Sequence, residues 1–366
     1  MLKIYAALFL LLISSIGMAQ ITMTQAIQTK YEAEQYSEII TEFGRQADTL
    51  PAKAIYYIGM AYRMKGDDMN CLRYMILSIN KDNRDPEPFY TKAMTFNYFN
   101  QFSSAVPDFE QAIQLDPSPS KYFAGLGDAY FGMNKYDEAL KAYQTATTKE
   151  NPIVWPYKMI PKVYLKMHQS DKALEAYYVA KTKFSKTSDA YQNVLLNIGE
   201  LENLGGHYDQ AIVALNELRR LKPTNYEAIP LLIQSYYGKK EYESAIPYRK
   251  MLHDAREKNF LEGSLKNSFC FDQFVYNGHT ILAFESYDEG SKVPYYKHLF
   301  QVLNANGTIE YQIQTEFSPQ SVAVGGTKYL LSLDKNETHT TFQIGFDDGF
   351  DYNDLKKAVI GVIEKN

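Results

Sequence analysis

Residues Phe123–Pro152 read FAGLGDAYFGMNKYDEALKAYQTATTKENP, with small and aromatic side chains at set distances from one another. Gly127, Ala139 and Ala146 are small; Tyr130, Tyr136 and Tyr143 are large. One constant step along the chain carries Phe102, Ala105, Phe109, Ala112 and Pro117 onto Tyr136, Ala139, Tyr143, Ala146 and Asn151, with Pro152 one place late. A second step of the same length finds Ala173, Tyr177 and Ala180. Further on come Gly199, Tyr208, Ala211, Leu215 and Pro223, then Tyr236, Tyr242 and Ala245; upstream, Gly59, Tyr62, Cys71, Met75 and Ser78 hold the same frame. A fixed period of this kind marks a chain built from stacked copies of one supersecondary unit.

The pattern resembles the tetratricopeptide repeat, a helix-turn-helix unit, over about 240 residues, in seven units beginning near residues 20, 52, 86, 120, 154, 192 and 226. The first unit is the weakest match, carrying only Tyr36, Ile39 and Phe43 on its second helix, and an insertion of four residues around Ser185 to Asp189 separates the fifth from the sixth. Two antiparallel helices approach closely only where small side chains sit at the crossing, so Gly127 is expected to face Ala139. Buried rings such as Tyr143 then contribute roughly 1.5 to 3 kcal/mol each. Proline in Asp116-Pro117 and Lys222-Pro223 stops the second helix.

One such hairpin cannot bury its apolar face alone, so neighbours stack into an α-helical solenoid. What the resemblance implies is a concave groove lined by the first helix of each unit. Its candidate residues are Tyr56, Met60 and Arg63, then Tyr90, Met94 and Asn97, then Asp128 and Phe131, then Trp155, Lys158 and Lys162, and finally Gln234 and Tyr237. Aromatic, methionine and charged types of this kind suit protein-binding patches. Flanking Pro152 and Pro156 set the helix start after Trp155, and Pro161 is expected to bend that helix. Family members that grip chaperone tails use a lysine, asparagine and arginine clamp; Tyr56 and Met60 stand in its place here, so that clamp is not expected.

Near Asn259 the repeat stops and alternation takes over. Strands are expected from Phe271 through Tyr276, then over Thr280 to Tyr287, Tyr296 to Leu303, Ile309 to Thr315, Tyr329 to Leu333 and Thr340 to Phe346. Asn277-Gly278 reads as a hairpin turn, with further turns at Asn306-Gly307, Gly325-Gly326 and Lys335-Asn336. Leu355, Ala358, Val359, Val362 and Ile363 then fall on one helical face. The domains expected are therefore a solenoid over 20–259 and a small α+β domain over 260–366, an antiparallel sheet with a C-terminal helix.

Lys3, the apolar run Ile4–Ile16 and the small residues of Gly17-Met18-Ala19 have the form of a secretory signal over 1–19, cut before Gln20, which places the mature protein outside the cytoplasm, in the periplasm or secreted. The run falls short of the about 20 residues that span a bilayer. A net charge of −5 without a long basic run argues against nucleic acid as a partner. The two cysteines, Cys71 and Cys270, do not make a disulfide framework, and no metal-ligand spacing or cofactor motif joins the six histidines.

In the C-terminal part, Asp347, Asp348, Asp351 and Asp354 read as helix capping ahead of calcium binding. His279, His298 and His339, with Glu285 and Glu316, lack a nucleophile elbow or a phosphate loop. The resemblance implies an adaptor that binds a protein or peptide segment, with no catalytic residues, no cofactor and no metal. The alternative is an enzyme or ligand-binding protein whose site lies in the C-terminal part.

Overall fold

The computed structural model describes residues 22–266, 268–287, 296–317, 329–335, 338–346 and 352–365. The expected signal segment 1–19, the turn at Gly325-Gly326, Asn336, and Asp347, Asp348 and Asp351 lie outside them. The chain forms two compact units, dividing after Lys183. The division falls beside the four-residue insertion, not at the change of pattern near Asn259.

The first unit consists of helix pairs. They are α1 (22–32) with α2 (Tyr36–Phe43), α3 (Ala52–Met64) with α4 (Asp68–Lys81), α5 (Pro86–Tyr98) with α6 (Phe102–Leu115), α7 (Ser120–Gly132) with α8 (Tyr136–Thr147), and α9 (Trp155–Lys166) with α10 (Ser170–Lys181). The second unit opens with two more pairs, α11 (Asp189–Leu204) with α12 (Tyr208–Leu221) and α13 (Ala228–Gly238) with α14 (Tyr242–Glu257). The weak first repeat is short because α2 gives way after its second turn to a 3-10 turn, Gly44–Thr49.

The turn inside every pair is made the same way. One residue enters the left-handed region: Glu34, Gly66, Asn100, Asn134, His168, Gly206 and Lys240, with φ between 56° and 78°. From Gly66 through Asn100 and Asn134 to His168 they recur at one constant step, and the step from His168 to Gly206 is longer by the length of the insertion. The next amide always reaches back to the same relative carbonyl, as from Asp67 to that of Tyr62 (2.9 Å) or from Gln101 to that of Phe96 (2.8 Å). This is the Schellman closure of a helix C-terminus, which satisfies a carbonyl left over from the last turn.

Between helices, glycine makes sockets for large side chains. A Cβ on Gly127 would lie 2.7 Å from the ring of Tyr143 on the facing helix, so the glycine admits that ring. Gly199 likewise admits Leu215, and Gly59 admits Met75. A second set joins consecutive pairs, Gly132 taking the ring of Phe102 and Gly238 that of Tyr208. Gly125 admits the ring of Phe109, and Tyr143 and Phe109 are fully buried, so these sockets carry the apolar burial that holds the stack.

The second unit continues into a six-stranded antiparallel meander in the order β1 to β6: β1 (Ser268–Tyr276), β2 (His279–Tyr287), β3 (Tyr296–Leu303), β4 (Ile309–Phe317), β5 (Tyr329–Lys335) and β6 (Thr338–Phe346), followed by α15 (Tyr352–Ile363). Strand β1 begins earlier than the sequence indicates, β4 runs on to Phe317, and Lys335 ends β5. Asn277 and Gly278 both have positive φ (47° and 78°) and join β1 to β2 in a two-residue turn, the type I′ form whose twist suits a hairpin.

One sheet face carries Ile281, Ala283, Phe300, Val302, Tyr311, Ile313, Leu331 and Leu333, all buried. They share a core with Leu355, Val359 and Val362 of α15 and with Ile229, Ile233, Tyr237, Leu252 and Ala255 of α13 and α14. The apolar side of the last helix pair is thus covered by the sheet rather than by another repeat.

Candidate partner-binding surface

Projected onto the first helices of the pairs, the repeat step sets residues in columns. Met60, Met94, Asp128 and Lys162 form one; Arg63, Asn97 and Phe131 form another. Across the first unit the first column changes from thioether to charge, and each helix gives it a different setting.

On α3, Tyr56 and Met60 are half-buried. The Met60 sulfur accepts from Thr91 Oγ1 at 3.9 Å, and burial raises the Tyr56 phenol well above its usual range. On α5, Tyr90 packs on Tyr122 (ring centroids 5.1 Å) and Phe109 (6.0 Å), with the Lys121 ammonium 4.8 Å from its ring centre. Lys121 is itself held by Glu87 Oε1 (2.6 Å), which also accepts from Tyr122 (2.7 Å). Burial pushes the Tyr90 hydroxyl up. Tyr90 is therefore part of a packed aromatic wall, and its exposed edge is what it offers a ligand. Met94 and Phe131 are half-buried in the same way.

Asn97 ties neighbouring first helices together. Its Nδ2 donates to the Gly125 carbonyl of α7 (3.0 Å), while its Oδ1 is buried with no hydrogen-bond partner. The residue at the same repeat position in the second unit, Asn203, donates to the Leu231 carbonyl (2.8 Å), and its Oδ1 accepts from Ser235 (2.7 Å). The position of Ser235 is occupied in the first unit by Ala129.

Asp128 and Trp155 come from successive helix pairs and meet. Trp155 opens α9, with Pro156 in the first turn where its missing N–H costs little, so the expectation that the helix starts after Trp155 is corrected. Its indole Nε1 donates to Asp128 Oδ1 (2.8 Å), which also accepts from the Tyr143 hydroxyl (2.6 Å). Burial pushes the Asp128 carboxyl above its ordinary value, against the pull of these two donors. The ring itself is 40% exposed, with the Lys158 ammonium 5.2 Å from its centre. The side chains of Arg63, Lys158 and Lys162 form no hydrogen bond or ion pair among the described residues. Helix α9 runs through Pro161, which is buried.

In the second unit the expected groove residues have other partners. Tyr237 is only 6% exposed and packs edge-on against Phe271 of β1 (5.4 Å), so its place among the groove residues is corrected to the core. Gln234 Nε2 donates to the Cys270 carbonyl (3.0 Å). The three histidines of the sheet stand apart: His279 meets Glu310 (2.9 Å), His339 meets Asp334 (2.6 Å), and His298 lies on Phe271 (5.7 Å). The side chains of Glu285 and Glu316 lie outside the described residues. Cys71 and Cys270 are both free, and burial pushes each thiol up to about 11, away from a reactive thiolate.

Residues 90–152 match the tetratricopeptide repeat family model. The chain is 36% identical over 67 residues to small glutamine-rich tetratricopeptide repeat-containing protein 2 of Mycosarcoma maydis, covering 18% of this chain and 19% of that protein. It is 28% identical over 94 residues to Hsp70-Hsp90 organizing protein 2 of Arabidopsis thaliana, covering 24% and 16%. It thus spans less than a fifth of the length of these curated relatives. Among solved structures, YrrB, a TPR protein with an unusual peptide-binding site, is similar at 20% identity and a TM-score of 0.43, over 50% of this chain and 91% of that one. Pseudomonas aeruginosa pilF is similar at 16% identity and 0.46, over 61% and 96%. The helix pairs on either side of the matched stretch are closed by the same left-handed turn.

Proposed function

We propose that this chain is an extracytoplasmic adaptor that holds a segment of a partner protein on the first-helix face of its repeats. The observation that carries the reading is the α9 end of that face. Trp155 is exposed, its indole is oriented by Asp128, and the cations Lys158 and Lys162 have no ion-pair partner among the described residues. A fixed aromatic ring beside free positive charge is the composition of an interface anchor, where tryptophan and desolvated charge dominate affinity. Tyr90, Met94 and Phe131 extend the surface with half-buried apolar area. One relative is named as an organizing protein of Hsp70 and Hsp90, which agrees with a role in holding other proteins. The extracytoplasmic setting rests on the leader-like residues Lys3 to Ala19.

The test is affinity co-purification of the full chain from envelope and secreted fractions of its own cell, beside Trp155→Ala and Tyr90→Ala. A partner held by the native chain and lost with Trp155→Ala, while circular dichroism is unchanged, supports the surface. Partners retained by both variants overturn it. Edman sequencing of the native protein reads the location: an N-terminus at Gln20 supports export, and one at Met1 refutes it.

A further inference from the structure

The second unit contains a cleft of about 1030 Å³ with repeat helices on one side and the sheet on the other. Leu196 and Leu231 line it from α11 and α13, and Phe269 and Phe284 from β1 and β2. Phe260, on the link between α14 and β1, joins this lining while 57% exposed. The hydrogen bond from Gln234 to the Cys270 carbonyl fixes α13 to β1, so the two sides are already in place without a ligand. The volume lies at or above the upper end of the roughly 300 to 1,000 Å³ of small-molecule sites, which favours a stretch of polypeptide.

The charge on this cleft is of one dominant sign. Glu200 on α11, Glu227 at the head of α13 and Glu262 on the link all line it, against the single cation Lys222. All three carboxylates are exposed and none forms a hydrogen bond or ion pair among the described residues. Three unpaired acids beside an aromatic floor attract a cation whose neighbours are apolar, and they repel an acidic segment. Strand β1 is also an edge of the sheet, with its Cys270 carbonyl taken by Gln234 of α13.

We infer that this cleft binds an extended segment of a partner protein in which a lysine or arginine lies between apolar residues. The apolar side chains fill the floor between Leu231, Phe269 and Phe284, and the cation meets the three glutamates. The surface around Trp155 carries the opposite charge, so the two sites select different segments.

Panning a phage-displayed library of random dodecapeptides on the full chain tests this, followed by fluorescence anisotropy with the most enriched peptide. The enriched sequences are expected to place lysine or arginine beside leucine, isoleucine or phenylalanine. Replacing the three acids together (Glu200→Gln, Glu227→Gln, Glu262→Gln) is expected to weaken binding about tenfold, equivalent to about 1.4 kcal/mol, with a lower salt sensitivity. Phe260→Ala also weakens it, and Trp155→Ala leaves it unchanged. Because these acids are exposed, the triple variant keeps its fold; lysine at the same three positions reverses the preference toward a peptide with glutamate in place of its cations. The proposal is overturned if no peptide is enriched, if the enriched peptides are acidic or uncharged, or if binding survives the triple variant and is lost with Trp155→Ala.

Discussion

The surroundings of the two asparagines that tie neighbouring first helices differ by one hydroxyl, and that hydroxyl can be put back. Asn203 has Ser235 at 2.7 Å from its Oδ1, whereas Asn97 has Ala129 at that repeat position and an orphaned, buried Oδ1. Ala129 is fully buried on α7, in the same helix as the Gly125 carbonyl that accepts from Asn97. An unsatisfied buried acceptor costs about 1 to 3 kcal/mol. Serine in place of alanine costs about 0.5 kcal/mol in helix propensity. Ala129→Ser is therefore expected to stabilise the first unit by about 1 kcal/mol, roughly a fivefold shift toward the folded state. Urea unfolding followed by fluorescence reads this directly, because the chain's single tryptophan, Trp155, lies in the first unit. The Asn97→Ala background supplies the control: there the new hydroxyl has no amide oxygen to bond, and the same substitution should be neutral or destabilising. Equal effects of Ala129→Ser in both backgrounds would refute the reasoning, since the gain would then owe nothing to Asn97.

Three further outcomes follow from the same geometry. Gly127→Ala places a methyl 2.7 Å from the buried Tyr143 ring, whose hydroxyl is anchored on Asp128, and should cost about 1 to 3 kcal/mol in urea unfolding. His168→Gly relieves a side chain held at φ 56° and should raise stability by about 1 kcal/mol, visible as a higher unfolding midpoint. Asp128→Asn should stabilise at neutral pH, because the folded carboxyl is raised by burial and its ionised form is the disfavoured one. With the folded value above the unfolded one, this gain is full above the folded value and fades as pH falls past about 3.9, the unfolded value, below which both states become protonated. A gain that persists at about pH 3, below that unfolded value, would contradict the assignment.

Most of the helical fold was legible because alanine and ring positions such as Ala105, Ala139 and Ala173 follow the repeat. Asn277-Gly278 announced its hairpin for the same kind of reason, a local backbone demand that few residues meet. The turns were less legible: His168 and Lys240 adopt a conformation usually left to glycine or asparagine, and only their spacing shows what they do. Helical periodicity told that Tyr237 belongs to a patterned helix but not that Phe271 covers it, since covering depends on a strand that lies beyond the whole of the next helix. The site behaved likewise. Trp155 stood out as a lone tryptophan, yet its hydrogen bond to Asp128 joins residues that no short-range pattern connects.

Closure of the last helix pair by the sheet bears on how such an array can lengthen. Each repeat leaves an apolar face for the next, so an open end accepts another copy by simple duplication. After α14 that option is gone, because Ile233 and Leu252 already lie in one core with Phe271 and Ile313. A pair appended there would have to part the helix from the sheet and expose both. Duplication within the interior of the array leaves that terminal core untouched, so gene rearrangements that preserve the fold add or delete whole repeat units upstream of α13 and spare the junction itself.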